Sequence, residues 1–268
     1  ESLTLEEQQA IVTATKELKA YQEEKDSKEV LDKIPMLERS DLERELPPFY
    51  NKEYDFEGKK LVFHEISTNG IAYLKILYPI DELTGYAPYL SLLATVLGYM
   101  DSEHYSFQEL SNAIDIYTGG VITDVDYFIQ KRKTNEFKTY FGIHAKFLYE
   151  NMEKAMELLK EVCVGTLLSD TVRLKEIVME SKARLQMRLM SQGNLVAAGR
   201  ATAYFSKSAA LSEQLNGLEY YRFLGKLETE FEERKDSLVE ILTGLVQTIF
   251  SKENAVISLT AEKEGLDL

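Results

Sequence analysis

With 268 residues, 44% of them apolar and 28% charged, the chain has the length of one large domain or two small ones and the composition of a globular protein. Its net charge of −14 argues against a general nucleic-acid or anionic-membrane surface, which would repel it, and suits a basic partner. The single cysteine, Cys163, excludes an intrachain disulfide and a cysteine-built zinc site, and no run approaches the ~18 apolar residues of a membrane span.

Residues 1–50 read as a helical hairpin or linker. Thr4 and Glu7 have capping-box spacing, and Leu5, Ile11, Val12, Leu18 and Tyr21 recur at helical spacing between charged residues. Asp26-Ser27 opens a second, shorter helix that Pro35 ends. The pair Pro47-Pro48 reads as a linker stop. This segment buries little core alone and needs a partner surface. The acidic, amphipathic start has no signal-peptide pattern, and the absence of disulfides fits a reducing compartment.

Residues 51–268 read as an α+β domain, an antiparallel or mixed sheet with helices packed on one face. Lys60–Ser67 and Ile71–Tyr78 flank Asn69-Gly70, a pattern that predicts a hairpin. Ala87–Met100 reads as a buried helix, and Ser106 caps a helix over Phe107–Ile116. After Gly119-Gly120, Val121–Gln130 reads as a strand and the charged Lys131–Glu136 as a turn. Phe137, Thr139, Phe141, Ile143, Ala145 and Phe147 alternate with Lys138, Tyr140, His144 and Lys146, so one face of that strand meets the core. Met152, Ala155, Met156, Leu159, Val162 and Cys163 form a helical stripe, which makes Cys163 an inert core thiol. A basic helix over Thr171–Met190 follows, then shorter helices punctuated by Gly193, Gly199, Gly217 and Gly225. Leu238–Phe250 reads as a last amphipathic helix and Asn254–Thr260 as a closing strand. The start at Glu1 and the end just beyond that strand read as the limits of a piece of a longer chain.

No arrangement of residues announces chemistry. His64, His104 and His144 stand apart, with no paired spacing of the kind a zinc site needs. There is no nucleophile signature, and Tyr117-Thr118-Gly119-Gly120 lacks the lysine and glycine spacing of a phosphate loop. The adjacent carboxylates Glu6-Glu7 and Glu232-Glu233 diverge on helices and read as solvated. Arg173, Lys175, Lys182, Arg184 and Arg188 offer an anion a basic helix, but an exposed face paired to acidic neighbours is the plainer reading.

Several stretches resemble the insulinase/pitrilysin family of zinc metallopeptidases, in its presequence-protease-like branch. They are Ile34-Pro35-Met36-Leu37 with Asp41-Leu42, Tyr89–Leu93 through Leu97-Gly98, Tyr105–Leu110, Tyr117–Val121, Gly199-Arg200, Tyr204–Ser206, and Leu215–Leu218 with Tyr220. The resemblance implies a helical linker followed by the non-catalytic third of about four homologous α+β domains, which close as two halves around a substrate chamber. In such a family zinc and the H-x-x-E-H motif belong to the first domain. Here Leu92 and Val96 stand at the two histidine positions and Thr95 at the glutamate position, so no catalytic residue and no cofactor carry over to this chain. Zinc is expected in the full-length parent, and the expected partners are the other domains of the same polypeptide. In the family's catalytic domain the strand after the glycine turn pairs with extended peptide. By resemblance Gly120, Val121, Thr123 and Val125 are the candidate substrate contacts, through the backbone. Two other readings stand beside this one: an inactive insulinase-like scaffold subunit, and an unrecognised hydrolase built on the isolated His and Asp residues.

Overall fold

The computed structural model describes residues 3–42, 45, 50–250, 253 and 255–267. The chain divides into two compact units, Glu1–Phe49 and Tyr50–Leu268. In the first, α1 (Leu5–Glu23) begins at a capping box in which Thr4 and Glu7 satisfy each other's backbone N–H groups. A single turn, α2 (Lys28–Leu31), follows Ser27 and ends before Pro35, and no side chain of either helix is buried. Pro47-Pro48 lies outside the described residues.

In the second unit, six strands among the described residues form one mixed sheet. They are β1 (Asn51–Phe56), β2 (Lys59–Glu65), β3 (Ile71–Pro79), β4 (Val121–Gln130), β5 (Lys133–Leu148) and β6 (Val256–Ala261), in the order β1-β2-β6-β3-β5-β4. The helices are α3 (Ala87–Val96), α4 (Phe107–Tyr117), α5 (Met152–Cys163), α6 (Thr171–Ser191), α7 (Gly193–Thr202), α8 (Lys207–Asn216), α9 (Leu218–Thr229), α10 (Phe231–Ile249) and the short α11 (Lys263–Asp267). One face of the sheet carries the core. Phe141 of β5 meets Leu92 and Val96 of α3, Leu174 and Ile177 of α6 and Leu242 of α10 in one cluster. Ala72, Ile143, Ala145 and Phe147 pack on Ala155, Leu159 and Cys163 of α5 in a second.

The expected hairpin at Asn69-Gly70 does not form. Asn69 (φ 54°) and Gly70 (φ 80°) do make the left-handed turn that the dipeptide favours. However, β6 lies between β2 and β3, parallel to β2 and antiparallel to β3. The reason sits just beyond β6. The Glu262 carboxylate accepts hydrogen bonds from the backbone N–H groups of Thr68, Asn69 and Gly70 and from the hydroxyls of Ser67 and Tyr149, at 3.0–3.2 Å. A side chain from the far end of the chain thus holds the turn open across an intervening strand. The Gly70 N–H first, then the Tyr149 hydroxyl, keep this carboxyl below its ordinary value of 4.5. A depressed folded pKa means that Glu262 supports the fold above about pH 5 and loses that support as pH falls through its folded pKa. Glu262→Gln is therefore expected to lower Tm at pH 7, with the gap to the unsubstituted protein closing as pH falls below the ordinary carboxyl value of 4.5 in a thermal-melt series. A constant gap over that range would contradict the assignment.

Other differences are local. The actual hairpin joins β1 to β2 through Glu57-Gly58, both at positive φ. The turn expected over Lys131–Glu136 shrinks to Lys131-Arg132, because β5 resumes at Lys133. Gly199 and Gly225 lie inside α7 and α9, whereas Gly193 and Gly217 do mark helix limits. Met156 is exposed and Glu161 takes a buried place on α5 instead. Cys163 is buried, and burial pushes its thiol up to about 12. An Ellman-type reagent should leave it untouched in the native state and label it only after unfolding; native labelling at a free-thiol rate would refute the packing.

Candidate functional site

The helix on which the sequence reading expects the motif positions Leu92, Thr95 and Val96 is α3. It ends at Val96 rather than Met100, because the chain turns at Gly98 (φ 84°). Leu92 and Val96 are fully buried in the main core. Thr95 is half-buried, and its hydroxyl donates to the Ser91 carbonyl at 3.0 Å. Two aliphatic side chains carry no donor atom, and a threonine hydroxyl committed to its own helix is no general base. These residues do not fit zinc.

β4 starts from a tight turn. The Gly119 N–H donates to the Lys146 carbonyl at 2.7 Å, and Gly120 sits at φ 115°, a backbone conformation that L side chains rarely adopt. β4 then pairs with β5 along one side only, so it forms an edge of the sheet. Alternate residues of such a strand direct their N–H and C=O groups away from the neighbour. Val121 and Val125 pack on the main core, and the Thr123 hydroxyl donates to the Ala94 carbonyl of α3 at 2.6 Å. Three of the four candidate contact residues thus anchor the strand, Val121 and Val125 to the main core and Thr123 to α3, and what β4 offers at its edge is backbone.

The opposite parity of β4 is not among the sequence-derived candidates. Ile122 is 63% exposed on the face without the core. Beside it Asp124 pairs with His144 at 3.1 Å and Asp126 with Lys75 at 2.8 Å. Gly142 stands opposite both Asp124 and Leu77, and a methyl group on it would overlap Asp124 and lie 3.0 Å from His144 Nε2. Ligand atoms of Asp124, Asp126 and His144 lie within 4.8 Å of one another. The Lys75 ammonium already supplies a positive charge to this group, which is therefore accounted for as an ion-pair network. The signal that could have found it is the alternation used for β5, applied to β4.

The remaining candidates are dispersed. His64 lies on β2 and His144 on β5, while His104, in the loop after α3, bonds Glu161 at 2.7 Å. Burial raises the Glu161 carboxyl, but the neighbouring Ser102 hydroxyl and the bond to His104 together outweigh it and hold the group below its ordinary value. Among the described residues no group of potential metal ligands contains two histidines. The basic face of α6 is largely neutralised. Arg173 pairs with Glu176, Lys175 with Glu232, Lys182 with Glu228 and Arg184 with Glu180. Arg188 donates to the Asn216 carbonyl. Glu7 and Glu232 are likewise engaged, by Thr4 and by Lys175 and Lys235. No described helix is long and apolar enough to cross a membrane.

The sequence profile of a peptidase-associated family, the one that accompanies peptidases of family M-16, subfamily C, matches residues 1–227. "Protein HypA" of Clostridium perfringens is 33% identical over 255 residues, which make up 95% of this chain and 26% of that protein. "Presequence protease 1, chloroplastic/mitochondrial" of Arabidopsis thaliana is 27% identical over 267 residues, 99% of this chain and 24% of that protein. "Presequence protease, mitochondrial" of Saccharomyces cerevisiae is 25% identical over 250 residues, 91% of this chain and 25% of that protein. The chain thus spans about a quarter of the length of these curated relatives. A crystal structure of a conserved protein from Enterococcus faecalis V583 shares the fold, with a TM-score of 0.56 at 12% identity over 82% of this chain and 50% of that one.

Proposed function

The chain belongs to this peptidase-associated family, as an insulinase-like, presequence-protease-like segment, and from that premise we propose that it is a non-catalytic part of a zinc-dependent metalloendopeptidase. It encloses the substrate chamber together with the other domains of the same polypeptide. The zinc, when bound, activates water in another domain; α3 of this chain has no residue to hold it.

The role left to this chain is to grip. Among the described residues β4 has a paired strand on one side only, which leaves the other side of its backbone free at the sheet edge, and this is the observation that carries the proposal. An extended peptide adds there as a further strand, with affinity from backbone hydrogen bonds and tolerance of many side chains. The Thr123–Ala94 bond and the packed Val121 and Val125 hold the edge rigid, which lowers the ordering cost of binding. The net charge of −14 supports basic peptides as the preferred cargo.

Proline at Thr123 or Val125 in the full-length enzyme tests this. In a variant that keeps its circular dichroism and Tm, KM for peptide should rise about tenfold with kcat little changed, the signature of lost uniform binding. Unchanged peptide affinity in the folded variants would reject strand addition.

A further inference from the structure

On the far side of α3 lies a second feature. A cavity of about 380 Å³ opens between α3, α6, α8 and α9, and Ser91, Thr95, Arg184, Arg188, Asn216 and Tyr220 supply its polar lining. Its only charged lining residues, among those described, are two arginines, in a protein of net charge −14. Tyr220 is 6% exposed, and its hydroxyl has no hydrogen-bond partner among the described residues. A buried hydroxyl left without a partner is costly, which makes this one a donor in want of an acceptor. Burial pushes the phenol up to about 12; the Ser91 and Thr95 hydroxyls lie near enough to act against this, but neither meets the Tyr220 hydroxyl in hydrogen-bond geometry, and the phenol keeps its proton at neutral pH.

The neighbouring hydroxyl protons are already committed. Ser91 donates to the Leu215 carbonyl, Thr95 to the Ser91 carbonyl and Ser181 to the Ile177 carbonyl. Arg188 spends one N–H on the Asn216 carbonyl, and Arg184 makes a solvent-exposed pair with Glu180 at 3.3 Å, an interaction worth little. Two guanidinium forks and one phenolic donor therefore remain for a ligand that only accepts. Tyr99, Leu185 and Leu215 complete the walls with apolar surface. Planar forks beside an apolar wall suit a carboxylate on an organic stem better than a fully hydrated phosphate.

We propose that this cavity binds a peptide carboxylate, held by Arg184 and Arg188 and by the Tyr220 hydroxyl. The C-terminus of a peptide and an acidic side chain share this chemistry. The site does not rest on strand addition at β4, and either can fail while the other stands.

Isothermal titration calorimetry with N-acetyl-Ala-Ala-Phe tests it, using the free acid, the C-terminal amide, N-acetyl-Ala-Asp-Phe-amide and inorganic phosphate. The expected result is binding of a carboxylate-bearing peptide at least about tenfold tighter than of the plain amide, the loss of one charge-assisted contact. If the free acid is the one bound, the source is the C-terminus; if the Asp peptide amide binds instead, it is a side chain. Tyr220→Phe should weaken that binding about fivefold to tenfold while leaving Tm unchanged or higher, since it removes an unpaired buried hydroxyl. A merely structural role for Tyr220 would lower Tm and leave binding alone. Arg188→Gln should abolish binding. Equal binding of acid and amides, absence of binding to any peptide, phosphate binding as tight as peptide, or unsubstituted affinity in Tyr220→Phe would each overturn the proposal.

Discussion

Grafting the metal motif into α3, as Leu92→His, Thr95→Glu and Val96→His together, is expected to cost the domain about 5 kcal/mol or more without creating a zinc centre. Leu92 and Val96 are fully enclosed by the main core. Each histidine gives up about 2 kcal/mol of apolar burial and brings a ring nitrogen into a place with no partner. The summed loss is comparable with the whole stability of a typical domain, about 5–15 kcal/mol. A histidine that ligates zinc must reach metal and water, whereas Leu92 and Val96 are enclosed by apolar side chains. Urea unfolding of the triple variant, with zinc measured on the purified protein, checks this. A folded variant carrying one equivalent of zinc would show that α3 had lost only its side chains and not its setting.

The second large effect is expected at the sheet. Phe141→Ala should lose about 3–5 kcal/mol, the range for emptying a phenylalanine site in a core. The ring is fully buried and meets Phe250 edge-on at a centroid distance of 5.8 Å. Its chain neighbour Tyr140 faces the other side of β5, against Phe128 at 5.6 Å. Tyr140→Ala should therefore cost only about 1 kcal/mol. Paired urea midpoints measure the difference, and similar losses at both positions would refute the face assignment.

That contrast marks where the sequence is legible. Alternation from Phe137 to Phe147 names the core face of β5 because the period of a strand is local geometry. Thr4 and Ser106 announce their helices for the same reason, since a cap is settled within four residues. Asn69-Gly70 shows the limit. The dipeptide sets its own φ angles but not which strands pair, and β6 with Glu262, far along the chain, decides that. The first strand, Asn51–Phe56, is exposed along its length and shows no core pattern to read. Helix α3 is too apolar for its end to be marked by a change of pattern, so the turn at Gly98 goes unannounced. At the candidate site, Val121–Gln130 has the bounds the sequence predicts, but its place at the sheet edge depends on the whole strand order. The Tyr220 cavity is not readable at all. It gathers residues from four helices, and the chain sets Ser91 far from Tyr220.

In the proposed function this chain grips peptide through the β4 backbone while another domain performs the chemistry. Hydrogen exchange of the full-length enzyme, rendered inactive by removal of zinc and followed with and without a basic peptide, tests it most directly. Slowed exchange is expected at alternate amides between Val121 and Gln130, with the core amides of β5 unchanged. Peptide bound at saturation with β4 exchange unaltered would contradict it.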